Sequence, residues 1–401
     1  FQHPDQEQQK VFDGFSENTI SNYILPYGVA PNFLINGKTY AVPMVIEESS
    51  VVAAASSAAK FWLNKGGFST EVLSTTKLGQ VHFSWDGPNQ SLVKHLDAIK
   101  ARMVEDAKPI TANMERRGGG IKEIELLDFT AEEKDYYQFK VGFETCDSMG
   151  ANFINSVLES FGESMKQYIS EQEAWQQYSI EIIMAILSNY TPDCVVRAKV
   201  SCPVEQLENA CVELNGAEFA EKFAKAVRIA HIDPYRATTH NKGIFNGIDA
   251  VILATGNDFR AIEAGGHTYA AKDGKYRSLS YCTVENGIFS FWLDIPLAVG
   301  TVGGLTKLHP LAKRSLEMLG KPTAEELMQV IAATGLAQNF AAVRSLVTTG
   351  IQKGHMKMHL MNILNFLKAT DEEAQVVQNH FSDKAISYNG VRAFLNDIRT
   401  N

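Results

Sequence analysis

The stretch that decides the fold and the chemistry of this chain is Asp233-Pro-Tyr-Arg-Ala-Thr-Thr-His-Asn-Lys-Gly-Ile-Phe-Asn-Gly-Ile-Asp249, followed shortly by Ala254-Thr-Gly-Asn-Asp-Phe-Arg260. Arg236, His240 and Lys242 occur here among Asn and Gly residues, which favour turns. This composition predicts a catalytic loop rather than a packing surface. Lys242 stands between an asparagine and a glycine, so we expect its ammonium to project from a tight turn toward a bound oxygen.

Length and charge restrict the class of protein. A chain of 401 residues is expected to form two or three domains with a sizeable core. Its hydrophobic fraction of 45% and charged fraction of 21% are typical of a soluble globular protein. The net charge of -9 gives no electrostatic reason to expect a nucleic acid or an anionic membrane as partner.

The cysteines indicate a reducing compartment. Their number is odd, no Cys-x-x-Cys pair occurs, and they are too sparse for a disulfide framework. The apolar stretch at 51–63 is too short to span a bilayer, and the first residues lack the pattern of a signal peptide. We therefore expect a soluble, cytoplasmic protein without a membrane partner.

Local patterns predict the elements around the charged residues. Lys38 to Val45 alternates as a strand and leads to Glu48. An Ala-rich buried helix is predicted from Ser49 to Leu63, capped by one of its first two serines. Ala250 to Thr255 is predicted as a short buried strand that ends at the loop carrying Asp258.

From about Gly79 strand-like segments alternate with helical ones. The strands are predicted at Gln80 to Trp85, Glu123 to Phe129 and Tyr137 to Glu144, and the helices at Ser91 to Asp106 and Asn152 to Gln176. This order predicts an inserted domain with an antiparallel sheet. It contains neither the Gly-x-Gly-x-x-Gly of a Rossmann site nor a phosphate-binding Gly-x-x-x-x-Gly-Lys loop, so any nucleotide must bind in another way. The tail from about Ile351 is predicted to be helical, with the length of a small lid.

Seven ordered sequence blocks carry a resemblance to one family. They are His240-Asn-Lys-Gly-Ile244, Glu17-Asn-Thr-Ile20, Pro43-Met-Val-Ile-Glu-Glu-Ser-Ser-Val-Val-Ala-Ala-Ala-Ser56, Asp147-Ser-Met-Gly-Ala-Asn152, Val302-Gly-Gly-Leu-Thr-Lys-Leu-His-Pro310, Gly335-Leu-Ala-Gln-Asn339 and Gly354-His-Met356. Together they resemble the 3-hydroxy-3-methylglutaryl-CoA reductases, and in particular the bacterial second class of that family.

The resemblance implies an α+β architecture. A large mixed α/β domain would comprise residues 1–77 and 193–350, with a ferredoxin-like NAD(P)-binding domain inserted at 78–192 and a small helical C-terminal lid at 351–401. It also implies a homodimer whose active sites are built across the subunit interface.

The reaction implied by the resemblance reduces the thioester of 3-hydroxy-3-methylglutaryl-CoA to mevalonate and free CoA. It needs two hydride transfers and passes through a thiohemiacetal and mevaldehyde. Lys242 would stabilise the negative charge that develops on the carbonyl oxygen, and Glu48 would donate a proton to it. Asp258 would hold both side chains by hydrogen bonds. His355 would protonate the departing CoA thiolate.

Roles other than catalysis in this reaction remain open for these residues. Lys242 could be an exposed lysine, and Glu48 a solvated carboxylate. Asp258 could instead cap a helix that starts at Phe259. His355 and His359 are four residues apart and could together bind a metal, but the glutamate of a His-Glu-x-x-His motif is missing, so we predict no metal site.

The resemblance also implies substrate and cofactor contacts. Arg236 would bind the terminal carboxylate of the substrate through its guanidinium fork. Ser50 and Asn246 would bind substrate oxygens, and Gln338 would lie beside the CoA arm. The candidates for cofactor binding are Asp147, Met149, Gly150, Asn152 and Asn189. Turn and cap chemistry is the open alternative for this last group.

The cofactor is predicted to be NADPH or NADH, and the sequence favours NADPH. Relatives that prefer NADH carry an aspartate on the helix before the Gly-Gly-Gly run, where it can bond a ribose 2′-hydroxyl. The corresponding position here falls near Thr111, with Lys108, Arg116 and Arg117 close by. Absence of the acid and presence of basic groups favour a 2′-phosphate.

Two other functions compete with the reductase. A different acyl-CoA enzyme on the same scaffold, such as a lyase, would use Lys242 and Glu48 without a nicotinamide. A nucleotide- or CoA-binding sensor without activity is the non-enzymatic alternative. The block that begins at Asp147 argues against the lyase, and the presence of all four catalytic residues argues against the sensor.

Overall fold

The computed structural model describes residues 1–348, 360–381, 384 and 386–400, within which buried apolar side chains form three separate clusters. The first cluster combines the N-terminal residues 30–68 with residues 194–347. The second lies wholly within residues 81–175, and the third within residues 360–395. A segment with its own core is therefore inserted into a larger one.

The described part of the chain contains both helices and strands throughout. In chain order they are α1 (Gln6–Asp13), β1 (Tyr27–Ile35), β2 (Lys38–Val45), α2 (Val51–Leu63), β3 (Ser69–Val72), β4 (Lys77–Trp85), α3 (Asn89–Glu115), β5 (Gly120–Asp128), β6 (Tyr136–Glu144), α4 (Ala151–Ser170), β7 (Ile180–Leu187), β8 (Val195–Pro203), α5 (Gly216–Ile232), α6 (Pro234–Ala254), α7 (Phe259–Ala270), β9 (Ser280–Glu285), β10 (Ile288–Pro296), α8 (Leu305–Leu308), α9 (Pro310–Met318), α10 (Ala324–Val347), and the helices Asp371–His380 and Tyr388–Thr400.

The inserted segment is ferredoxin-like, as predicted. Its elements follow the order β4, α3, β5, β6, α4, β7, and its four strands pair antiparallel in the spatial order β5-β6-β4-β7. That is the split β-α-β arrangement repeated twice. The strands begin or end within a few residues of their predicted bounds, whereas α3 continues nine residues beyond the predicted end and contains Pro109.

The larger segment is built around α10. This helix is buried over most of its length and packs on α2, α5 and α6 and on the antiparallel sheet β3-β8-β10-β9. Among the described residues it is the one helix long and apolar enough to cross a membrane, but 78% of its apolar window is buried inside the fold. Such burial is usual for the core helix of a globular protein.

Two sequence predictions around Lys242 are wrong. The predicted catalytic loop is the long helix α6, and the predicted strand Ala250 to Thr255 is the last turn of that helix and its C-cap. The helix forms because Asp233 accepts hydrogen bonds from two first-turn amides and Pro234 occupies the first helical position. Its apolar residues Ile244, Phe245, Ile248, Val251 and Ile252 then recur at helical spacing and are buried.

In the described residues from 360 onward the C-terminal part is mostly helical, as predicted. Helices Asp371–His380 and Tyr388–Thr400 pack together with residues 360–367 around Val377 and Val391. Its action as a lid stays a prediction, as do the domain boundaries proposed from the sequence.

Candidate active site

The site is centred on an ion pair between two distant segments. Lys242 Nζ, on α6, donates a hydrogen bond to Glu48 Oε2 at 2.6 Å. Glu48 lies between the end of β2 and the start of α2. Both β2 and α2 pack against α6, which brings Glu48 next to Lys242. Asn246, one turn beyond Lys242, also donates to Glu48 Oε2, at 3.4 Å. The structure thus brings together three of the predicted residues, two of which donate to the carboxylate of the third.

Arg236 lies on the same helix with a guanidinium that has no hydrogen bond or ion pair in the described part of the chain. Partial burial lowers the pKa of this guanidinium from its usual value. A half-buried guanidinium without an acidic partner is poorly solvated, so it favours an anion from outside the protein. The geometry fits the predicted role in carboxylate binding.

Gln338 is buried on α10 against α6. Its side chain is 6% exposed, and its Oε1 has no hydrogen-bond partner among the described residues. A buried acceptor left without a donor is costly, so a ligand donor would stabilise it.

A series of buried hydrogen bonds links α6 to α10 through Ser280, at the start of β9. His240 contacts Ser280 Oγ through Nε2 at 2.7 Å, and that hydroxyl donates to Asn339 Oδ1 at 2.7 Å. Because the hydroxyl proton is used on Asn339, His240 Nε2 must carry the proton in the first contact. Burial lowers the pKa of His240 to about 3, so this imidazole is neutral at physiological pH.

Asp258 does not join the ion pair as predicted. It is the N-cap of α7, where its carboxylate accepts from the amides of Arg260 and Ala261 and from the Arg260 guanidinium. The capping alternative is therefore observed, and no hydrogen bond links Asp258 to Lys242 or Glu48 within the described residues. Ser50 stands at the N-cap of α2, two residues after Glu48, with a left-handed backbone (φ 76°).

Two of the predicted cofactor residues line one narrow cleft. Met149 and Asn189 face Ile262 and Gly265 of α7 across it. A Cβ added at Gly265 would lie 2.7 Å from the Asn189 carbonyl oxygen, so glycine permits this close approach. The cleft runs along α7, the helix that Asp258 caps.

The other predicted cofactor residues surround the start of α4. Gly150 precedes the helix with φ 94°, and a Cβ there would lie 2.5 Å from Thr145 Cγ2. Asn152 is exposed in the first turn. Asp147 Oδ1 accepts from the Ala324 amide at 2.7 Å, at the start of α10. Cap chemistry is thus observed for Asp147, and its contact with a cofactor stays a prediction.

Sequence reasoning missed Lys77, at the start of β4. This lysine is only 4% exposed, lines the same cleft, and donates to Thr145 Oγ1 at 2.7 Å. Thr145 Oγ1 in turn donates to the Ser148 carbonyl at 2.6 Å. Lys77 therefore holds the loop that leads into α4. No sequence signal pointed to it, because its burial depends on the closure of the sheet.

Sequence reasoning also missed a carboxyl pair between α6 and α7. Asp249 faces Glu263, and one of its oxygens has no hydrogen-bond partner among the described residues. Desolvation and the nearby Glu263 raise the pKa of Asp249 well above its usual range. Asp249 therefore keeps a proton near neutral pH.

Asp249→Asn should reduce the pH dependence of stability. Because the folded state holds the Asp249 proton more tightly than the unfolded state, the free energy of unfolding of the wild type should fall as pH rises above about 4 toward the raised pKa, by no more than about 1.4 kcal/mol per pH unit. The asparagine lacks this proton. Urea denaturation should show that the free energy of unfolding of the variant, relative to that of the wild type, is higher at pH 8 than at pH 5. Asp97→Asn changes an exposed aspartate on α3 and is the control. Its free energy of unfolding should differ from that of the wild type by the same amount at both pH values.

The position expected to favour a 2′-phosphate needs correction. Thr111 is 1% exposed inside α3, so it cannot face a ribose. Arg116 and Arg117 are exposed at the end of the helix, and Cys146 Sγ contacts the Arg117 carbonyl at 3.3 Å, which places Arg117 beside the loop before α4. His355 lies outside the described residues, as does His359.

Comparison with known proteins places this geometry in a family. The family model described as hydroxymethylglutaryl-coenzyme A reductase matches residues 1–360. A 3-hydroxy-3-methylglutaryl-coenzyme A reductase from Archaeoglobus fulgidus is 39% identical over an alignment of 395 residues, and the match covers 97% of this chain and 86% of the relative. A relative from Borreliella burgdorferi is 34% identical over 366 residues, covering 89% of this chain and 80% of its own.

The fold comparison agrees. The class II 3-hydroxy-3-methylglutaryl-CoA reductase from Streptococcus pneumoniae, solved with bound NADPH in open conformations, superposes with a TM-score of 0.76 at 38% identity, covering 86% of this chain and 94% of that chain. A second structure of the S. pneumoniae enzyme gives a TM-score of 0.77 over 98% of this chain. The resemblance read from the sequence is confirmed, and the chain belongs to the hydroxymethylglutaryl-coenzyme A reductase family.

Proposed function

We propose that Lys242, Glu48 and Asn246 act on the thioester carbonyl in the nicotinamide-dependent reduction of 3-hydroxy-3-methylglutaryl-CoA. The observation that supports this most directly is the contact of 2.6 Å between Lys242 Nζ and Glu48 Oε2. It places a cation and a carboxyl group at one point, and a cation and a group that can transfer a proton are both needed where a carbonyl oxygen becomes an oxyanion. The Asn246 amide adds a second donor at the same point.

The substrate would lie along α6, with its two ends held separately. Arg236, whose guanidinium has no partner among the described residues, would bind the terminal carboxylate. Lys242 would receive the thioester carbonyl oxygen. Ser50, beside Glu48, and Gln338, on α10, would hold the substrate oxygens and the CoA arm.

The reaction consumes two nicotinamide equivalents and two protons for each thioester. The reduced cofactor, when bound, supplies a hydride to the carbonyl carbon in each half. Lys242 and Asn246 donate to the oxyanion and Glu48 delivers a proton to it. The resulting thiohemiacetal breaks its C–S bond to give mevaldehyde and CoA, and a second reduction of the same carbon gives mevalonate.

The cofactor would occupy the cleft between the ferredoxin-like segment and α7. Met149 and Asn189 line it, and the loop held by Lys77 and Thr145 forms its edge. The exposed Arg117 lies beside that loop, which supports NADPH over NADH because its guanidinium can pair with a 2′-phosphate. Direct contacts of Asp147, Gly150 and Asn152 with the nucleotide remain proposals.

Asp258 and His355 keep the roles that the sequence resemblance assigns to them only as predictions. For Asp258 to hold Lys242, its pairing with Arg260 at 3.0 Å would have to open when substrate binds. His355, outside the described residues, would protonate the CoA thiolate. A homodimer and a cytoplasmic location are likewise our proposals.

Absorbance at 340 nm tests the activity directly. With 3-hydroxy-3-methylglutaryl-CoA and NADPH, we expect two NADPH to be oxidised for each CoA released, and mevalonate, CoA and NADP⁺ should give the reverse signal. No absorbance change with either NADPH or NADH, in either direction, would overturn the proposal. The lyase alternative predicts cleavage of the acyl-CoA without any nicotinamide and is not favoured by a family and relatives described as reductases.

A further inference from the structure

The segment 297–304, which connects β10 to α8, is hydrogen-bonded to the turn that carries Asp258. The Gly300 amide donates to Asn257 Oδ1 at 2.9 Å, and Asn257 is the residue before Asp258. The other polar atom of this side chain, Nδ2, donates to Thr255 Oγ1 at 3.2 Å. The two bonds hold the Asn257 side chain in one orientation, with its oxygen on the segment.

The same segment also contacts the residues predicted to bind the cofactor. The amides of Thr301 and Val302 donate to the Asp147 carbonyl at 2.9 and 3.3 Å. A Cβ at Gly300 would lie 2.5 Å from the Met149 amide nitrogen, so glycine permits this close approach of the two backbones. Residue 300 therefore joins the turn before α7 to the loop of residues 145–150, which we call the cofactor loop.

The three connected elements also form the wall of the cleft proposed for the cofactor. Met149 of the cofactor loop, Ala298 of the segment and Ile262 of α7 all line it. Asp258 begins α7 as its N-cap. A ligand that fills the cleft therefore contacts the cofactor loop, the segment and the helix at the same time, and it fixes the distances between them.

The residue type at 257 suits a contact between these elements. An asparagine side chain offers one acceptor and one donor group, which here meet the Gly300 amide and the Thr255 hydroxyl. An ionised aspartate would offer acceptors only and would add a second negative charge beside Asp258. Asparagine therefore makes both contacts without changing the charge next to that carboxylate.

We propose that Asn257 is a positioning residue, which ties the placement of Asp258 to that of the cofactor loop through Gly300. This inference rests on the proposed function, because that function gives Asp258 and the cofactor loop their roles. Asp258 pairs with Arg260 in this structure and would have to leave it to reach Lys242. The bond from Asn257 to the segment makes the position of this turn depend on the position of the cofactor loop.

The test is Asn257→Ala, which removes both side-chain bonds and keeps Asp258. We expect kcat for thioester reduction to fall by about 10-fold or more, because a misplacement of about 1 Å can lower a rate by about 100-fold. The KM for NADPH should rise by about 5-fold, as expected for the loss of one hydrogen bond. The KM for 3-hydroxy-3-methylglutaryl-CoA should stay unchanged, since its proposed carboxylate contact is made by Arg236.

The same change in an Asp258→Asn enzyme separates positioning from a general loss of structure. If Asn257 acts through Asp258, adding Asn257→Ala to Asp258→Asn should lower kcat by less than about 2-fold, while the KM for NADPH should rise as before. A smaller fraction of folded enzyme would instead lower the apparent kcat by the same factor in both backgrounds. Equal falls in kcat would therefore overturn the inference.

A matched control removes a similar bond outside the site. Asn36 Oδ1 accepts from the Thr70 amide at 2.8 Å, and its left-handed φ of 47° is accessible to glycine. Asn36→Gly should lower the midpoint of thermal unfolding but leave kcat and both KM values unchanged. If Asn257→Ala does not fold, Asn257→Ser serves in its place, because its hydroxyl is one bond shorter and loses the contact with Gly300. It should give the same kinetic results.

The outcomes distinguish this inference from the proposed function. If the wild type oxidises no NADPH with the substrate, the proposed function fails and this inference fails with it. If the wild type is active but Asp258→Asn keeps its kcat, the role predicted for Asp258 is wrong, and the inference is overturned with it. If Asp258→Asn is slow but the folded Asn257 variant keeps the wild-type kcat and KM for NADPH, this inference alone is overturned.

Discussion

Lys242→Met should lower kcat for thioester reduction by at least about 100-fold, because removal of one preorganised oxyanion donor commonly has an effect of that size. The methionine keeps much of the side-chain length but cannot donate to the carbonyl oxygen. The change also leaves Glu48 without the ammonium that now lies 2.6 Å from it. Binding of 3-hydroxy-3-methylglutarate should be largely retained, since the proposed carboxylate contact is made by Arg236.

Single-turnover measurement of NADPH oxidation gives the chemical step, and calorimetry gives the binding step. Lys222→Met is a matched control, because it removes an exposed lysine from α5 outside the site. It should be indistinguishable from the wild type in both measurements. A Lys242→Met enzyme that turns over at a near-normal rate would show that the oxyanion is stabilised elsewhere.

The helix α6 shows that the sequence can indicate the right family while the local structure predicted from it is wrong. The density of Asn and Gly around Lys242 favoured a turn, and the prediction of a loop followed from it. The opposite signals were present: Asp233 and Pro234 form an N-terminal cap, and the apolar residues beyond recur with helical period. Gly247 is used for packing against α10 rather than for a turn.

Contacts between distant segments could be predicted only from the family resemblance. Glu48 and Lys242 are separated by 194 residues, and no local pattern joins them. The inserted ferredoxin-like segment was different. Local patterns of strands and helices were enough to predict its antiparallel sheet, and only the ferredoxin-like fold was taken from the resemblance. For Asp258, the local rule for helix caps described the observed contact better than the assigned catalytic role.

Burial explains what the sequence could not predict. Lys77 and Asp249 look like ordinary surface residues in the sequence, yet packing of the sheet buries the first and packing of α6 on α7 encloses the second. Their chemistry depends on desolvation, which is a property of the assembled fold.

Arg236→Met should raise the KM for 3-hydroxy-3-methylglutaryl-CoA by at least about 30-fold, corresponding to about 2 kcal/mol, because truncation of one member of a charge pair has effects of about 2–5 kcal/mol. The half-buried guanidinium lacks an acidic partner among the described residues, so its pairing with the substrate carboxylate would be new on binding. The KM for NADPH should stay unchanged. Arg228→Met, which removes an exposed arginine from α5, is the matched control.

A substrate analogue with a neutral amide in place of the terminal carboxylate makes the assignment specific. The wild type should bind this analogue about 30-fold or more weakly than the acid, whereas Arg236→Met should bind the two almost equally, since the interaction is already lost. The coupling energy from this cycle measures the contact between guanidinium and carboxylate. If the variant still discriminates between acid and amide as strongly as the wild type, another cation receives the carboxylate, and the orientation of the substrate along α6 must be reversed or abandoned.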